Sequence, residues 1–171
     1  LLINHTKDRY KDVRVRQAAN LCIDRDALRE ALSGQMRPAV GMVPPGHPWH
    51  GTPSLKIGFD AQKGRALMAA AGYSKDKPLV LNVQTSASGS GQMQPIPMNE
   101  FLQQSLADCH FKVELDVVDW GTLFSNWRKG AKEPTAKGAL AINVSSATMD
   151  PFFALTRFAE CKMQPPVSVN W

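Results

Sequence analysis

One helix-like stretch lying between two strand-like stretches constrains the fold of this chain most. PLVLNVQTS (78–86) and FKVELDVVDW (111–120) have the composition of β-strands, and MNEFLQQSLADC (98–109) between them has helical spacing. The apolar side of that helix would consist of Phe101, Leu102, Ser105 and Leu106. A helix between two strands predicts a βαβ unit, whose strands pair in parallel through a right-handed crossover. The sequence therefore predicts an α/β fold, with a mainly parallel central sheet flanked by helices.

Aspartates that can cap a helix mark the start of three further helices. Asp12 precedes a helix whose buried face comprises Val15, Ala18, Ala19 and Cys22. Asp24 precedes a helix with Leu28, Ala31 and Leu32 as its buried face and Gly34 as its left-handed stop. Asp60 precedes a third helix, with Lys63, Leu67 and Ala70 or Ala71 at helical spacing and a stop at Gly72. Because Asp24 and Asp26 lie at a helix start, free amides and the helix dipole explain them better than acid–base catalysis does.

The second half of the chain continues the alternation of helices and strands. TLFSNWRKG (122–130) predicts a short helix closed by Gly130, and GALAINVSS (138–146) predicts a third strand. Asp150 and Pro151 then open a last helix through FFALTRF. By contrast, residues 37–58 contain five prolines and four glycines, which exclude a long helix or a central strand there.

The histidines of that loop raise the question of a metal site. His47 and His50 are three residues apart, but no cysteine or carboxylate lies nearby, and a zinc site in a protein usually needs three or four ligands. We expect both to be surface or loop-packing residues and no bound metal. Cys22, Cys109 and Cys161 lie far apart and form no C-x-x-C pair. Three cysteines leave at least one thiol without a partner in this chain, and the sequence does not indicate which.

Charge leaves open a second class of function, a basic module that binds nucleic acid or another polyanion. The 171 residues carry a formal net charge of +5 and are 43% hydrophobic, which is enough for one domain with a core. The basic residues are scattered rather than clustered, and no nucleic-acid-binding motif is present. We expect Arg14, Arg16, Arg25 and Arg29 to be solvated or to hold their helices to neighbouring loops.

Ligands of open α/β sheets bind at the carboxyl ends of the strands, which directs attention to three loops. These are TSASGSG (85–91), Asp119-Trp120 and SSATMD (145–150). Gly89 and Gly91 lack the third glycine of a dinucleotide fingerprint, because Gln94 stands there, so we expect no nucleotide cofactor. No G-x-S-x-G motif and no convergent set of acid, base and nucleophile is present, which argues against an enzyme. The candidate binding residues are Thr85, Ser86, Ser88, Trp120, Ser145 and Ser146.

Three stretches of the chain resemble, in the same order, the family 5 extracellular solute-binding proteins, which are the dipeptide-, oligopeptide- and nickel-binding components of bacterial ABC importers. They are DVRVRQAANLCIDRDALREALSGQMRPAVGMVPPGHPWH (12–50), FDAQKGRALMAAAGY (59–73) and FKVELDVVDWGTLFSNWRKG (111–130). The motifs that carry the resemblance are D-V-R-x-R-Q-A, I-D-R-x-x-L, V-P-P-G-x-P and V-D-W. Their combination in this order is far more specific than any one of them.

The resemblance implies that residues 1–171 are one lobe of a two-lobed protein with a periplasmic-binding-protein-like fold of type II. Such lobes close about a hinge over a solute, here a peptide or a peptide-like molecule. The implied partners are the first lobe of the same full-length chain and the membrane permease subunits of an ABC importer, and no nucleic acid. The implied location is the periplasm or, for a lipid-anchored protein, the cell exterior. That location permits a disulfide involving Cys161 or Cys109, with the pair left open.

The resemblance also implies roles for two positions. Trp120 matches a tryptophan that lines the pocket of peptide-binding relatives. Counted back from Asp150-Pro151, Ala147 stands where those relatives have the aspartate that pairs with the amino terminus of the peptide, and Val144 stands where they have a tryptophan. A buried ammonium without a partner is costly, so this departure predicts a solute other than an ordinary amine-anchored peptide. A modified peptide, a sugar-like molecule and a metal chelate remain open.

Overall fold

A four-stranded sheet organises the chain, with strand order β1-β4-β2-β3. The computed structural model describes residues 1–41, 43–52, 54, 58–134, 136–142, 151–152, 155–156 and 160. The strands are β1 (Leu2–Ile3), β2 (Leu79–Ser86), β3 (Phe111–Val118) and β4 (Ala139–Leu140). β2 pairs in parallel with both β3 and β4, and β1 pairs antiparallel with β4. The predicted βαβ unit and the mainly parallel sheet are confirmed.

Through residue 142, the described ranges contain six α-helices. They are α1 (Asp8–Lys11), α2 (Val13–Leu21), α3 (Arg25–Ala31), α4 (Ala61–Ala70), α5 (Pro95–Ala107) and α6 (Trp120–Lys129). A 3₁₀ turn at Pro48–His50 is the one helical element between residues 43 and 52. Of the predicted last helix, Pro151, Phe152, Leu155 and Thr156 are described, and all four are helical. Within the described ranges, no helix is long and apolar enough to cross a membrane.

Aspartate side chains cap four of these helices. Asp12 accepts the N–H of Arg14, and Asp24 accepts the N–H groups of Asp26 and Ala27. Asp60 caps α4 and Asp119 caps α6 in the same manner. The three caps predicted from the sequence are confirmed. They were predictable because a cap depends only on residues within one helical turn.

Two predicted helix faces need correction. In α3, Leu28 and Leu32 are buried but Ala31 is exposed. In α4, Lys63 and Ala70 are exposed, and the buried face centres on Gly64 and Met68, with Leu67 and Ala71 packed against the core. Because much of α4 is alanine, hydrophobicity alone does not distinguish its faces.

A disulfide explains why α4 turns its glycine inward. Cys22, at the end of α2, is bonded to Cys109, in the turn between α5 and β3, across 87 residues of chain. Both cysteines are buried in the main core. A Cβ on Gly64 would lie 2.1 Å from Cys22 Sγ, so only glycine lets α4 pack on the disulfide. This assigns the pair that the sequence left open.

The two faces of the sheet carry separate apolar clusters. Leu79, Leu81 and Val83 of β2 belong to the main cluster, together with buried residues of α2, α4 and α5. On the opposite face, Leu123 and Trp127 of α6 pack with Leu140 and Ile142. The sheet therefore has helices on both sides, as expected for a largely parallel sheet.

The arginines of the first helices bind backbone carbonyls. Arg14 donates to Ala70 O (2.8 Å) and forms an ion pair with Asp12. Arg16 donates to the carbonyls of Tyr10 and Lys11, and Arg25 donates to those of Asn20 and Ile23. These three arginines thus hold their helices to neighbouring backbone, as expected, although Arg14 and Arg16 bind carbonyls of the helices α4 and α1 rather than of loops.

The two loop histidines are engaged within their own loop. His47 Nδ1 accepts the N–H of Trp49 (3.1 Å), and His50 Nδ1 lies 2.8 Å from Val43 O. Across the described part of the chain, no three His, Cys, Asp or Glu side chains gather into a group that could hold a metal ion. Local packing of the loop accounts for His47 and His50.

Candidate ligand-binding site

The carboxyl ends of β2 and β3 lie side by side. The parallel register pairs Thr85 with Val117 and Ser86 with Val118, so the loop that follows β2 starts next to the residues that follow β3. We define the strand-end edge as Thr85–Gly91 together with Asp119 and Trp120. This edge brings together two of the three loops that the sequence singled out.

Trp120 and Gly89 are in direct contact across this edge. A Cβ built on Gly89 would lie 2.9 Å from Trp120 Cβ and 3.0 Å from Trp120 Cγ. Gly89 also has φ +81°, a conformation that other residues adopt only with strain. The loop after β2 therefore reaches Trp120 only because glycine stands at position 89. The sequence analysis considered Gly89 only as part of a nucleotide fingerprint and missed this contact.

Two further aromatic side chains of α6, those of Phe124 and Trp127, form a row with Trp120. The Trp120 ring lies 5.6 Å from the ring of Phe124, and Phe124 lies 5.9 Å from Trp127 in an edge-on arrangement. Trp127 is buried in the apolar cluster that α6 forms with Leu140 and Ile142, whereas Trp120 is half-buried. Trp120 is thus held by Gly89 and Phe124 while part of its surface remains accessible, which suits a side chain that contacts a ligand.

The hydroxyl groups of the edge differ in their surroundings. Thr85 is fully buried, and its Oγ1 accepts a hydrogen bond from Asn99 Nδ2 of α5 (3.0 Å). Ser86 is fully buried on the opposite face, and its Oγ has no hydrogen-bond partner. Ser88 is exposed on the loop. Of the three, Ser88 is the one whose side chain reaches solvent.

Buried polar groups without partners are rare in proteins, and two of them flank this edge. Besides Ser86 Oγ, the side-chain oxygen of Asn99 is buried without a partner, although Asn99 Nδ2 also donates to Pro95 O (2.7 Å). The sequence analysis missed Asn99, which stands on the buried side of a helix that periodicity assigned to apolar packing. The sequence did contain a signal for it, which is a polar asparagine on the side of the helix where apolar residues are expected.

Asp119 is the charged residue of the strand-end edge. Its two carboxylate oxygens accept the N–H and the hydroxyl of Thr122, in the first turn of α6. These hydrogen bonds hold the pKa of the Asp119 carboxyl below its usual value of 3.8. The charge therefore caps α6 and persists under mildly acidic conditions.

The remaining candidates, Ser145, Ser146 and Ala147, lie outside the described residues. The third strand predicted from the sequence, residues 138–146, contains β4, and the structure describes it as far as Ile142. Gln84 of β2 pairs in parallel with Leu140 of β4, so this strand runs toward the same edge as β2 and β3.

Comparison with known proteins gives consistent results. The sequence model of the bacterial extracellular solute-binding proteins, family 5 Middle, matches residues 1–163. Di/tripeptide-binding protein 2 of Pseudomonas aeruginosa is 26% identical over 129 residues, covering 75% of this chain and 24% of that protein. The periplasmic oligopeptide-binding protein OppA of Escherichia coli is 29% identical over 145 residues, covering 80% of this chain and 26% of OppA. The glutathione-binding protein GsiB of Pectobacterium atrosepticum is 29% identical over 177 residues, covering 98% of this chain and 32% of GsiB.

Solved structures share the fold. The dipeptide-binding protein of Pseudoalteromonas sp. SM9913, in complex with Met-Leu, superposes with a TM-score of 0.78 at 20% identity, covering 99% of this chain and 33% of that one. The periplasmic binding protein DppA of Helicobacter pylori, in complex with the peptide STSA, gives a TM-score of 0.74 at 22% identity, covering 91% and 28%. This chain thus spans 24% to 33% of the length of these relatives. The resemblance recognised in the sequence is confirmed: the chain belongs to family 5 of the bacterial extracellular solute-binding proteins.

Proposed function

We propose that this chain is the ligand-binding lobe of a substrate-binding protein that delivers a peptide or a peptide-like solute to a bacterial ABC importer. The observation that carries the proposal is Trp120, held by Gly89 and Phe124 at the joint carboxyl end of β2 and β3. Relatives named for di/tripeptide, oligopeptide and glutathione binding support this solute class. Trp120 and Ser88 would contact the solute directly. Thr85 and Ser86, both buried, would shape the edge from beneath.

A second lobe completes the binding cleft in this proposal. The chain covers 24% to 32% of the length of the three relatives named above, so most of such a protein lies outside residues 1–171. The first lobe of the full-length protein would close over the solute, and the permease subunits of the importer would receive it. We expect residues 1–171 alone to bind the solute weakly.

A binding role without catalysis is part of this proposal. The side chains of the strand-end edge are hydroxyls, one tryptophan and one carboxylate that caps a helix, which do not form an acid–base–nucleophile set. The alternative of a polyanion-binding module has less support, because Arg14, Arg16 and Arg25 bind carbonyls of their own chain. A substrate-binding role therefore accounts better for both the edge and the arginines.

An oxidising location outside the cytoplasm fits the disulfide. Cys22 and Cys109 are buried in the main core, and bonds of this kind form and persist in the periplasm or at the cell exterior. This supports a periplasmic or lipid-anchored extracellular protein.

Native mass spectrometry of the full-length protein, purified gently from its own host, tests the proposal. We expect a bound small molecule that is retained after the Trp49→Ala substitution, because Trp49 is exposed on the loop of residues 43–52. The Trp120→Ala substitution should release it. A protein that carries no small molecule, and that binds none from a screen of peptides and peptide-like solutes, would contradict the proposal.

A further inference from the structure

A series of side-chain hydrogen bonds joins α6 to the sheet beneath it. Asn126 Nδ2 of α6 donates to Gln84 Oε1 of β2 (2.9 Å), and Gln84 Nε2 donates to Asp116 Oδ2 of β3 (2.9 Å). Asp116 Oδ2 in turn lies 3.8 Å from Lys137 Nζ. Gln84 is the buried member of this series, with 3% of its surface exposed. Both polar atoms of its side-chain amide therefore have a partner.

The carboxylate of Asp116 decides which way the Gln84 amide faces. A carboxylate only accepts hydrogen bonds, so the NH₂ group of the amide must face Asp116. The amide oxygen is then left facing α6, where Asn126 supplies the donor that it needs. Leaving this buried oxygen without a donor would be costly. The polarity of the series is thus set from β3 through β2 to α6.

The hydrogen bond between Asn126 and Gln84 limits rotation of α6 about its own axis. Leu123 and Trp127 also attach the helix to the sheet, through a cluster of apolar side chains. Apolar contacts have no preferred direction, whereas a hydrogen bond weakens steeply as its angle departs from linearity. The directional contact of Asn126 therefore fixes the rotational setting of α6 on the sheet.

The rotational setting of α6 decides where Trp120 points. Trp120 is the first residue of α6 and lies about 9 Å from Asn126 along the helix axis. A rotation of the helix by about 20° would carry a side chain at its outer radius through about 2 Å. Such a displacement would either press Trp120 against Gly89 or withdraw it from that contact.

We infer that Gln84 and Asn126 are positioning residues, which hold α6 in the setting that presents Trp120 at the strand-end edge. Neither residue needs to touch the solute. This role rests on the proposed function and deepens it, because it explains how the side chain that contacts the solute is held in place. A polar network whose members are all satisfied specifies one arrangement of the elements that it joins.

Fluorine NMR of the full-length protein, labelled with 5-fluorotryptophan, tests the position of Trp120 without added solute. In Asn126→Asp, two carboxylates face the Gln84 amide, so the amide oxygen meets a carboxylate whichever way the amide turns. We expect this substitution to shift the resonance assigned by Trp120→Phe. Asn126→Ala, which removes the donor without adding charge, should shift it too. Asp116→Asn/Asn126→Asp should restore the resonance, because the Gln84 amide can turn over and pair with both neighbours again.

Two single substitutions serve as controls. Asp116→Asn keeps an acceptor for Gln84 and should leave the resonance in place. Asn82 donates to Glu114 (2.7 Å) on the same face of the sheet, two residues farther from the strand-end edge than Gln84. Asn82→Asp therefore opposes two carboxylates at a distance from α6. It should lower the urea midpoint without shifting the Trp120 resonance.

Native mass spectrometry of the same proteins measures the consequence for binding. We expect the fraction of protein that carries a bound small molecule to fall at least about threefold in Asn126→Asp and to recover in the double variant. The positioning roles are refuted if the Trp120 resonance stays in place in both Asn126 variants, if the double variant fails to restore it, or if the bound fraction is unchanged.

Each of those results leaves solute binding by the protein standing. If instead the unsubstituted protein carries no small molecule and binds none from a screen of peptides and peptide-like solutes, the proposed function fails. The NMR comparison still decides in that case whether Gln84 and Asn126 set the position of Trp120, because it requires no solute.

Discussion

At the scale of single residues, two glycines determine contacts that no other residue type permits. Gly64 lets α4 lie on the Cys22–Cys109 disulfide, and Gly89 lets the loop after β2 lie on Trp120. A glycine inside a helix costs about 1 kcal/mol relative to alanine, so Gly64 indicates a packing requirement. In both cases a side chain at the glycine position would collide with a neighbouring side chain, which is Cys22 at Gly64 and Trp120 at Gly89.

Gly89→Ala tests the contact with Trp120. The new Cβ would lie 2.9 Å from Trp120 Cβ, so we expect the indole to move. Gly34→Ala is a matched control, since Gly34 also has positive φ (+74°) but has open space around it. Both substitutions should lower the free energy of unfolding by about 1–2 kcal/mol through backbone strain. In fluorine NMR of 5-fluorotryptophan-labelled protein, only Gly89→Ala should shift the resonance assigned by Trp120→Phe. An unchanged Trp120 resonance in Gly89→Ala would contradict the contact.

At the scale of elements, local rules determine where helices begin, and packing determines which way they face. Asp12, Asp24 and Asp60 were predictable as caps because each acts on amides within three residues. The faces of α3 and α4 were predicted in part wrongly. Alanine-rich helices offer several faces of similar hydrophobicity, and contacts with distant residues select among them.

The cap of α6 makes stability depend on pH. The hydrogen bonds with Thr122 lower the pKa of the Asp119 carboxyl in the folded protein. The Asp119 carboxylate therefore stabilises the folded state fully above the pKa of an unfolded aspartate, about 4. This stabilisation is lost as the pH falls through the lower pKa of the folded state. Asp119→Asn keeps a capping oxygen that does not titrate. We expect the urea midpoint of the unsubstituted protein to fall more between pH 7 and pH 3 than that of Asp119→Asn. Equal falls would show that the cap contributes nothing to the pH dependence.

At the scale of the whole molecule, the disulfide joins the first helices to the βαβ unit. It closes a loop of 87 residues, for which the chain-entropy model gives a stabilisation of about 4.5 kcal/mol. We expect Cys22→Ala/Cys109→Ala to lower the free energy of unfolding by roughly that amount in urea titrations. Adding a reductant to the double variant is the control and should change nothing further. Equal stability of the two proteins under oxidising conditions would contradict this role.

The sequence predicted the βαβ unit, the parallel sheet and the position of Trp120 at a strand end, because each follows from local periodicity together with the rules of sheet topology. It did not predict the Cys22–Cys109 pair, the Gly89–Trp120 contact or the buried Asn99–Thr85 hydrogen bond. Two of these join residues that are 87 and 31 positions apart, and their partners are identified only once the helices have packed. The site was therefore predictable as an edge of the sheet, but not as a set of contacts.

The affinity of the full-length protein for the solute that it carries, measured by calorimetry with Trp120→Ala and Trp49→Ala, tests the central claim most directly. Trp120 lies at the strand-end edge, whereas Trp49 is exposed on the loop of residues 43–52. The account predicts that Trp120→Ala weakens binding by at least about thirtyfold, as expected for a buried aromatic contact of about 2 kcal/mol, and that Trp49→Ala changes it by less than about twofold. Equal affinities in the two variants would contradict the assignment of the strand-end edge as the binding site.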